Sequence, residues 1–134
     1  MKTRGIRNNN PLNIRHSADR GQGACKEQTD KSFVQFESMA YGYRAMFVLL
    51  NSYHKRYGLT TIREMISRWA PPSENFTEGY IRFVSERSGI SADAQVDSRS
   101  ERDMVPIVAA MSEIENGVKA VMSDVYEGWK LFSK

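Results

Sequence analysis

Residues 39–58 read MAYGYRAMFVLLNSYHKRYG. Ala45, Met46, Leu49, Leu50, Tyr53 and Tyr57 recur at the spacing of one helical face. Gly58 supplies the stop, because glycine adopts the left-handed turn that ends a helix without a steric penalty. The spacing therefore predicts a long helix beginning at Met39, with an apolar stripe that needs partners. Further along, Thr60 can cap a shorter helix carrying Ile62, Met65, Ile66 and Trp69 until Pro71-Pro72 ends it. Asn75-Phe76-Thr77-Glu78 has the spacing of a capping box and predicts a helix with Tyr80, Ile81, Phe83 and Val84, closing at Gly89. Residues 90–100 read as a polar loop. A fourth helix is expected from about Asp103 to Gly117, with Pro106 in its first turn, and a last one from about Ser123 with Val125, Trp129 and Phe132.

Before Met39 the pattern differs. Residues 1–38 are rich in Gly, Asn, Asp and Ser, and Phe33-Val34-Gln35-Phe36 partly alternates, which predicts loop plus short strands in a small hairpin. The expected architecture is one domain over 1–134, mainly α within an α+β class: four or five helices and a minor N-terminal β element.

Composition narrows function less than fold. The chain has 134 residues, 40% hydrophobic and 26% charged, with a formal net charge of +3. That mild excess aids encounter with any anionic polymer, but Lys and Arg are dispersed and no RNP, zinc-finger or glycine-loop pattern occurs, so no specific nucleic-acid partner is expected. Cys25 is the single cysteine, which rules out an internal disulfide. Two histidines, His16 and His54, show no metal-ligand spacing, and no nucleophile elbow is present, so neither metal nor cofactor is expected. No apolar run approaches the roughly 18 residues of a membrane span.

Carboxylates remain as candidate chemistry. Acids normally sit on solvated faces, so the informative one occupies a position where the helix pattern asks for an apolar residue. On the fourth helix Met104, Val108, Met111 and position 115 share a narrow sector, and position 115 is Glu, whereas Glu113 points to the opposite side. A partly desolvated carboxyl near the negative end of a helix dipole is disposed to keep its proton, as a general acid at a glycosidic oxygen must. The structural alternative is an ion pair of Glu115 with an arginine such as Arg7 or Arg44.

Four motifs carry a resemblance: residues 4–15 (RGIRNNNPLNIR), Phe33-Val34-Gln35-Phe36-Glu37-Ser38, Gly42-Tyr43-Arg44-Ala45, and Trp69-Ala70-Pro71-Pro72-Ser73-Glu74-Asn75. Together they resemble a phage and prophage family linked to the virion-associated murein-lytic protein of enveloped double-stranded RNA phages and to the lysozyme superfamily. A weaker similarity is to glucosaminidases and soluble lytic transglycosylases. Those enzymes follow a catalytic Glu at a helix end with an Asn-Asn-x-x-x-Ile segment and a short β element ending in an aromatic strand. Here Asn9-Asn10-Pro11-Leu12-Asn13-Ile14 has almost nothing before it, and Ile107 to Gly117 resembles the missing catalytic helix, which implies a circularly permuted order.

The resemblance implies a monomeric peptidoglycan-cutting enzyme of lysozyme-like fold with Glu115 as its acid. Glu74, in a loop at a helix start, is the candidate second carboxylate. Asn9, Asn10 and Asn13 are candidates to bind N-acetyl groups or to cap turns, with a structural role expected for at least one of them, and Asn116, Ser73 and Asn75 stand beside the two acids. Trp69 and Tyr80 are candidate sugar contacts, although residues at such spacing are more often core, and Arg7 completes the substrate-binding set. With no Asp convincingly placed, a single-acid lytic transglycosylase is favoured over a muramidase. Cleavage of the peptide cross-link, or a non-catalytic wall-binding or virion structural role, are the alternatives. The second gains weight because Gly21 stands where the family often carries Trp. The segment after Met1-Lys2-Thr3-Arg4 lacks a signal peptide's apolar run, so the expectation is synthesis in a bacterial cytoplasm and delivery to the wall by a virion or by assisted export.

Overall fold

The structure is a computed structural model and describes residues 2–17, 21–73 and 75–134. Among them six helices follow one another: α1 (Arg4–Arg7), α2 (Met39–Tyr57), α3 (Ile62–Trp69), α4 (Thr77–Ser88), α5 (Glu101–Asn116) and α6 (Met122–Ser133). The protein is mainly helical, and no helix of the described residues is long and apolar enough to cross a membrane.

α2 begins and ends where its apolar spacing places it. The Ser38 hydroxyl accepts from the Tyr41 backbone N–H, and Gly58 closes the helix in the left-handed region at φ 67. α2 packs chiefly against α6, and α4 against α5. Phe47, Trp129 and Phe132 join α2 to α6 as an aromatic cluster, with Phe47 and Trp129 edge to face at 5.0 Å between centroids. The two helices approach closely at Gly128, where an added Cβ would lie 2.6 Å from the Cβ of Tyr43 and 2.8 Å from the Ala40 carbonyl oxygen. Tyr43 and Ser112 share a buried 2.8 Å hydrogen bond that links α2 to α5.

Four local expectations change. The cap of α3 is Thr61 rather than Thr60, because Glu64 reaches back to the Thr61 N–H and completes a reciprocal capping box. The box expected at the start of α4 does not form; Asn75 donates instead to the Pro71 carbonyl and closes the loop before the helix. α5 starts at Glu101, two residues early, because Ser100 caps it through the Asp103 N–H. Pro106 therefore lies in the second turn, where its missing N–H deprives only the carbonyl of the exposed Arg102.

The N-terminal region departs most. Residues 4–7 form a helical turn, and the expected hairpin reduces to two isolated antiparallel bridges, Arg15 with Phe33 and Ala24 with Phe36. Side-chain amides take the main-chain bonds that a ladder would have used. Asn10 accepts from the Ile14 N–H and donates to the Ile14 and Val34 carbonyls, while Gln28 donates to those of Cys25 and Gln35.

Candidate active site

The stripe on α5 behaves as its spacing requires. Met104, Val108 and Met111 are fully buried, and Glu115, one turn further on, emerges half-buried into a groove of about 730 Å³. Gly117 then ends the helix at φ 72. Glu113 faces away and pairs with Arg87 of α4 at 2.9 Å. The groove is also lined by Ile14, Arg15, His16 and Phe33 from the N-terminal segment, by Leu49 and Tyr53 of α2, and by Trp69 at the end of α3.

Two donors hold the carboxyl. Asn13 Nδ2 donates to Oε1 and the Tyr80 hydroxyl to Oε2, each at 3.1 Å. Burial, and then the neighbouring Glu115 charge, push the Tyr80 phenol far above its ordinary range, so it stays protonated and acts as a donor; an interaction with the Trp69 side chain opposes that shift only in part. Among the described residues no guanidinium lies within ion-pair distance of Glu115, which removes the Arg7 or Arg44 alternative.

The segment that delivers Asn13 is built on asparagine for a local reason. Asn9 and Asn13 have φ of 53 and 54, a left-handed conformation that Asn tolerates better than most residues. The same segment is pinned to the end of α5 by Asn116, whose Nδ2 donates to the Pro11 carbonyl at 2.7 Å and whose Oδ1 accepts from Thr3.

No family model matches the chain. Over 117 residues, covering 85% of this chain and 71% of its relative, the sequence is 38% identical to Protein P5 of Pseudoalteromonas phage PM2. The chain belongs to the family of Protein P5. A phage-encoded relative agrees with the phage character expected from the motifs, while the name Protein P5 states no activity.

In this member of the Protein P5 family the groove brings together Glu115, Asn13, Trp69 and Asn75 from the expected set, with Tyr80 behind Glu115. The rest of that set lies elsewhere. Asn10 is fully buried and Asn116 nearly so, and their polar atoms are spent on the protein's own chain. Asn9 donates to the Phe36 carbonyl, Ser73 is exposed outside the groove lining, and Arg7 sits over a separate depression with Asn8, Asp30 and Gln35. Glu74 lies outside the described residues. Gly21 has φ +77, so its backbone suits glycine and would be strained under Trp.

Sequence reasoning missed Arg15, His16, Phe33 and Tyr53. Arg15 and Phe33 stood inside quoted motifs, and their bridge partnership is the signal that joins them to one wall. His16 has no metal-ligand spacing in the sequence to mark it. It is placed by a 2.7 Å contact of Nε2 with the Asp30 carbonyl, across a loop that no periodicity reveals.

Proposed function

We propose that the protein cuts the glycan strand of bacterial peptidoglycan, with Glu115 as general acid and base, in the manner of a lytic transglycosylase on a circularly permuted lysozyme-like fold. One observation carries this reading: Glu115 is the sole carboxylic acid among the described residues that line the groove, and it ends a buried apolar stripe. The abutment of residues 10–13 on the end of α5 supports the permuted order, since it unites a helix-end Glu with an Asn-Asn segment that precedes it in the chain.

In this mechanism the Glu115 proton passes to the glycosidic oxygen as the C1–O bond breaks, and the substrate's N-acetyl group assists at C1. The resulting carboxylate takes the proton of the muramyl 6-hydroxyl as that oxygen closes on C1, which leaves a 1,6-anhydro end and regenerates the acid. Asn13 and Tyr80 orient the carboxyl throughout, and Tyr53 and Trp69 offer aromatic surface to sugar rings.

Purified murein should lose turbidity with the wild-type protein, and Glu115→Gln should slow that loss at least about 100-fold. Mass spectrometry should find anhydro-muramyl ends. Equal rates for the two proteins would refute the assignment, and reducing ends or cut peptides would replace the reaction. Gly21 favours a second reading, wall binding without turnover, which requires that the protein sediment with murein yet release no fragments.

A further inference from the structure

The groove that Glu115 lines also carries a cation with no carboxylate partner among the described residues. Arg4 and Arg15 both lie against the Phe33 ring, at 4.5 and 5.2 Å from its centroid. Their electrostatic situations differ. Arg4 is neutralised by Asp30 through two 2.6 Å hydrogen bonds, whereas Arg15 is exposed and has no carboxylate partner among the described residues. The next residue, His16, places Nε2 against the Asp30 carbonyl, so that nitrogen carries the proton. Its Nδ1 is buried, with no hydrogen-bond partner among the described residues, and is closed to the groove. Arg15, His16 and Phe33 all line the groove that contains Glu115.

A guanidinium stacked on an aromatic ring keeps its N–H edge free and held in one plane, the arrangement that receives a carboxylate with two parallel hydrogen bonds. A peptide stem presents carboxylates, whereas an unsubstituted N-acetylglucosamine chain has no anion for Arg15. We infer that the Arg15–Phe33 wall is a subsite for the peptide stem of the murein strand, with a stem carboxylate on Arg15. The subsite rests on the proposed murein substrate and adds to it a selection for stem-bearing over bare glycan.

The test uses binding, so that it is independent of turnover. Calorimetry on the full chain carrying Glu115→Gln compares N-acetylglucosaminyl-N-acetylmuramyl tetrapeptide with chitotetraose. The stem-bearing ligand should bind at least about tenfold tighter. Adding Arg15→Gln should erase that difference, and Arg15→Lys, which keeps the charge without the fork, should retain part of it. Arg15 is exposed, and a thermal unfolding curve for each variant verifies the fold. Equal affinity for the two ligands, no binding of either, or a preference that survives Arg15→Gln would overturn the subsite. Murein turnover by the wild-type protein separately decides the parent reading.

Discussion

Tyr80 and Glu115 stand 35 positions apart and meet through one hydrogen bond, phenol oxygen to Oε2 at 3.1 Å, at the place where α4 and α5 enclose the rear of the groove. The phenol is buried, and the carboxyl it holds is half in the groove. Tyr80 is thus a core residue that also positions a candidate acid. Tyr80→Phe keeps the ring and removes only the donor. A hydrogen bond to a charged group contributes about 1.5–3 kcal/mol, so murein turnover should fall about 10- to 100-fold with KM nearly unchanged. Steady-state rates on soluble glycan fragments decide this; unaltered kcat would remove Tyr80 from the site.

Asn10 tests the opposite assignment, a residue expected to bind substrate that the fold uses instead. Its side chain makes three hydrogen bonds, to the Ile14 N–H and to the Ile14 and Val34 carbonyls, with no exposure to the groove. Asn10→Ala leaves the Ile14 N–H and the Val34 carbonyl without partners, while the Ile14 carbonyl keeps the Val34 N–H, and should cost about 2–4 kcal/mol of stability, read as a lower urea midpoint. Murein affinity of the fraction that remains folded should be unchanged. A variant of wild-type stability with weakened binding would restore Asn10 to the substrate set.

The helices from Met39 onward are legible because each has an apolar period, which in α2 to α5 is bounded by a capping residue or glycine stop, and position 115 stands out as an acid on the α5 stripe. The N-terminal third is not, since its order rests on side-chain to main-chain bonds from Asn10, Gln28, Gln35 and Asp30, which leave no periodic trace. For the same reason the N-terminal wall of the groove goes unread. Arg15 and His16 acquire their position from a loop returning at Asp30 and Phe33, more than a dozen residues later. Of the three asparagines, Asn10 takes the structural role expected of at least one of them, and the left-handed backbone at Asn9 and Asn13 gives a local reason for Asn there.

Gly5 offers a test of how tightly the N-terminal segment and α5 are matched. A Cβ there would lie 2.7 Å from Asn116 Oδ1, 2.8 Å from the Asn10 carbonyl oxygen and 3.0 Å from Asn13 Oδ1. Gly5→Ala must push apart the residues that pin this segment to α5 and that present Asn13 to Glu115. Overpacking of this kind costs about 1–3 kcal/mol, and turnover should fall by more than the unfolded fraction accounts for, because Asn13 is displaced in the folded protein too. If activity per folded molecule stays constant, the link from Gly5 through Asn13 to Glu115 is broken.

Asp30 sets the acid limit of the loop that carries the groove wall. Arg4 donates two hydrogen bonds to its carboxyl, Asn8 a third, and the Phe33 and Ser32 backbone N–H groups two more, which together hold it far below its ordinary value of 3.8. With the folded value depressed, the unfolded chain takes up the proton first as pH falls. The stabilisation is complete above the unfolded value and is lost progressively below about pH 4. Asp30→Asn should lower stability at neutral pH by removing the Arg4 pair, and should also flatten the acid limb, so that the urea midpoints of variant and wild type converge between pH 4 and pH 2. The same variant frees Arg4 beside Phe33 and loosens the Ser32 and Phe33 anchors, so selectivity at the Arg15 wall should weaken at neutral pH while the helical circular dichroism is retained. Parallel pH profiles for the two proteins would show that Asp30 is not the group whose protonation governs this end of the molecule.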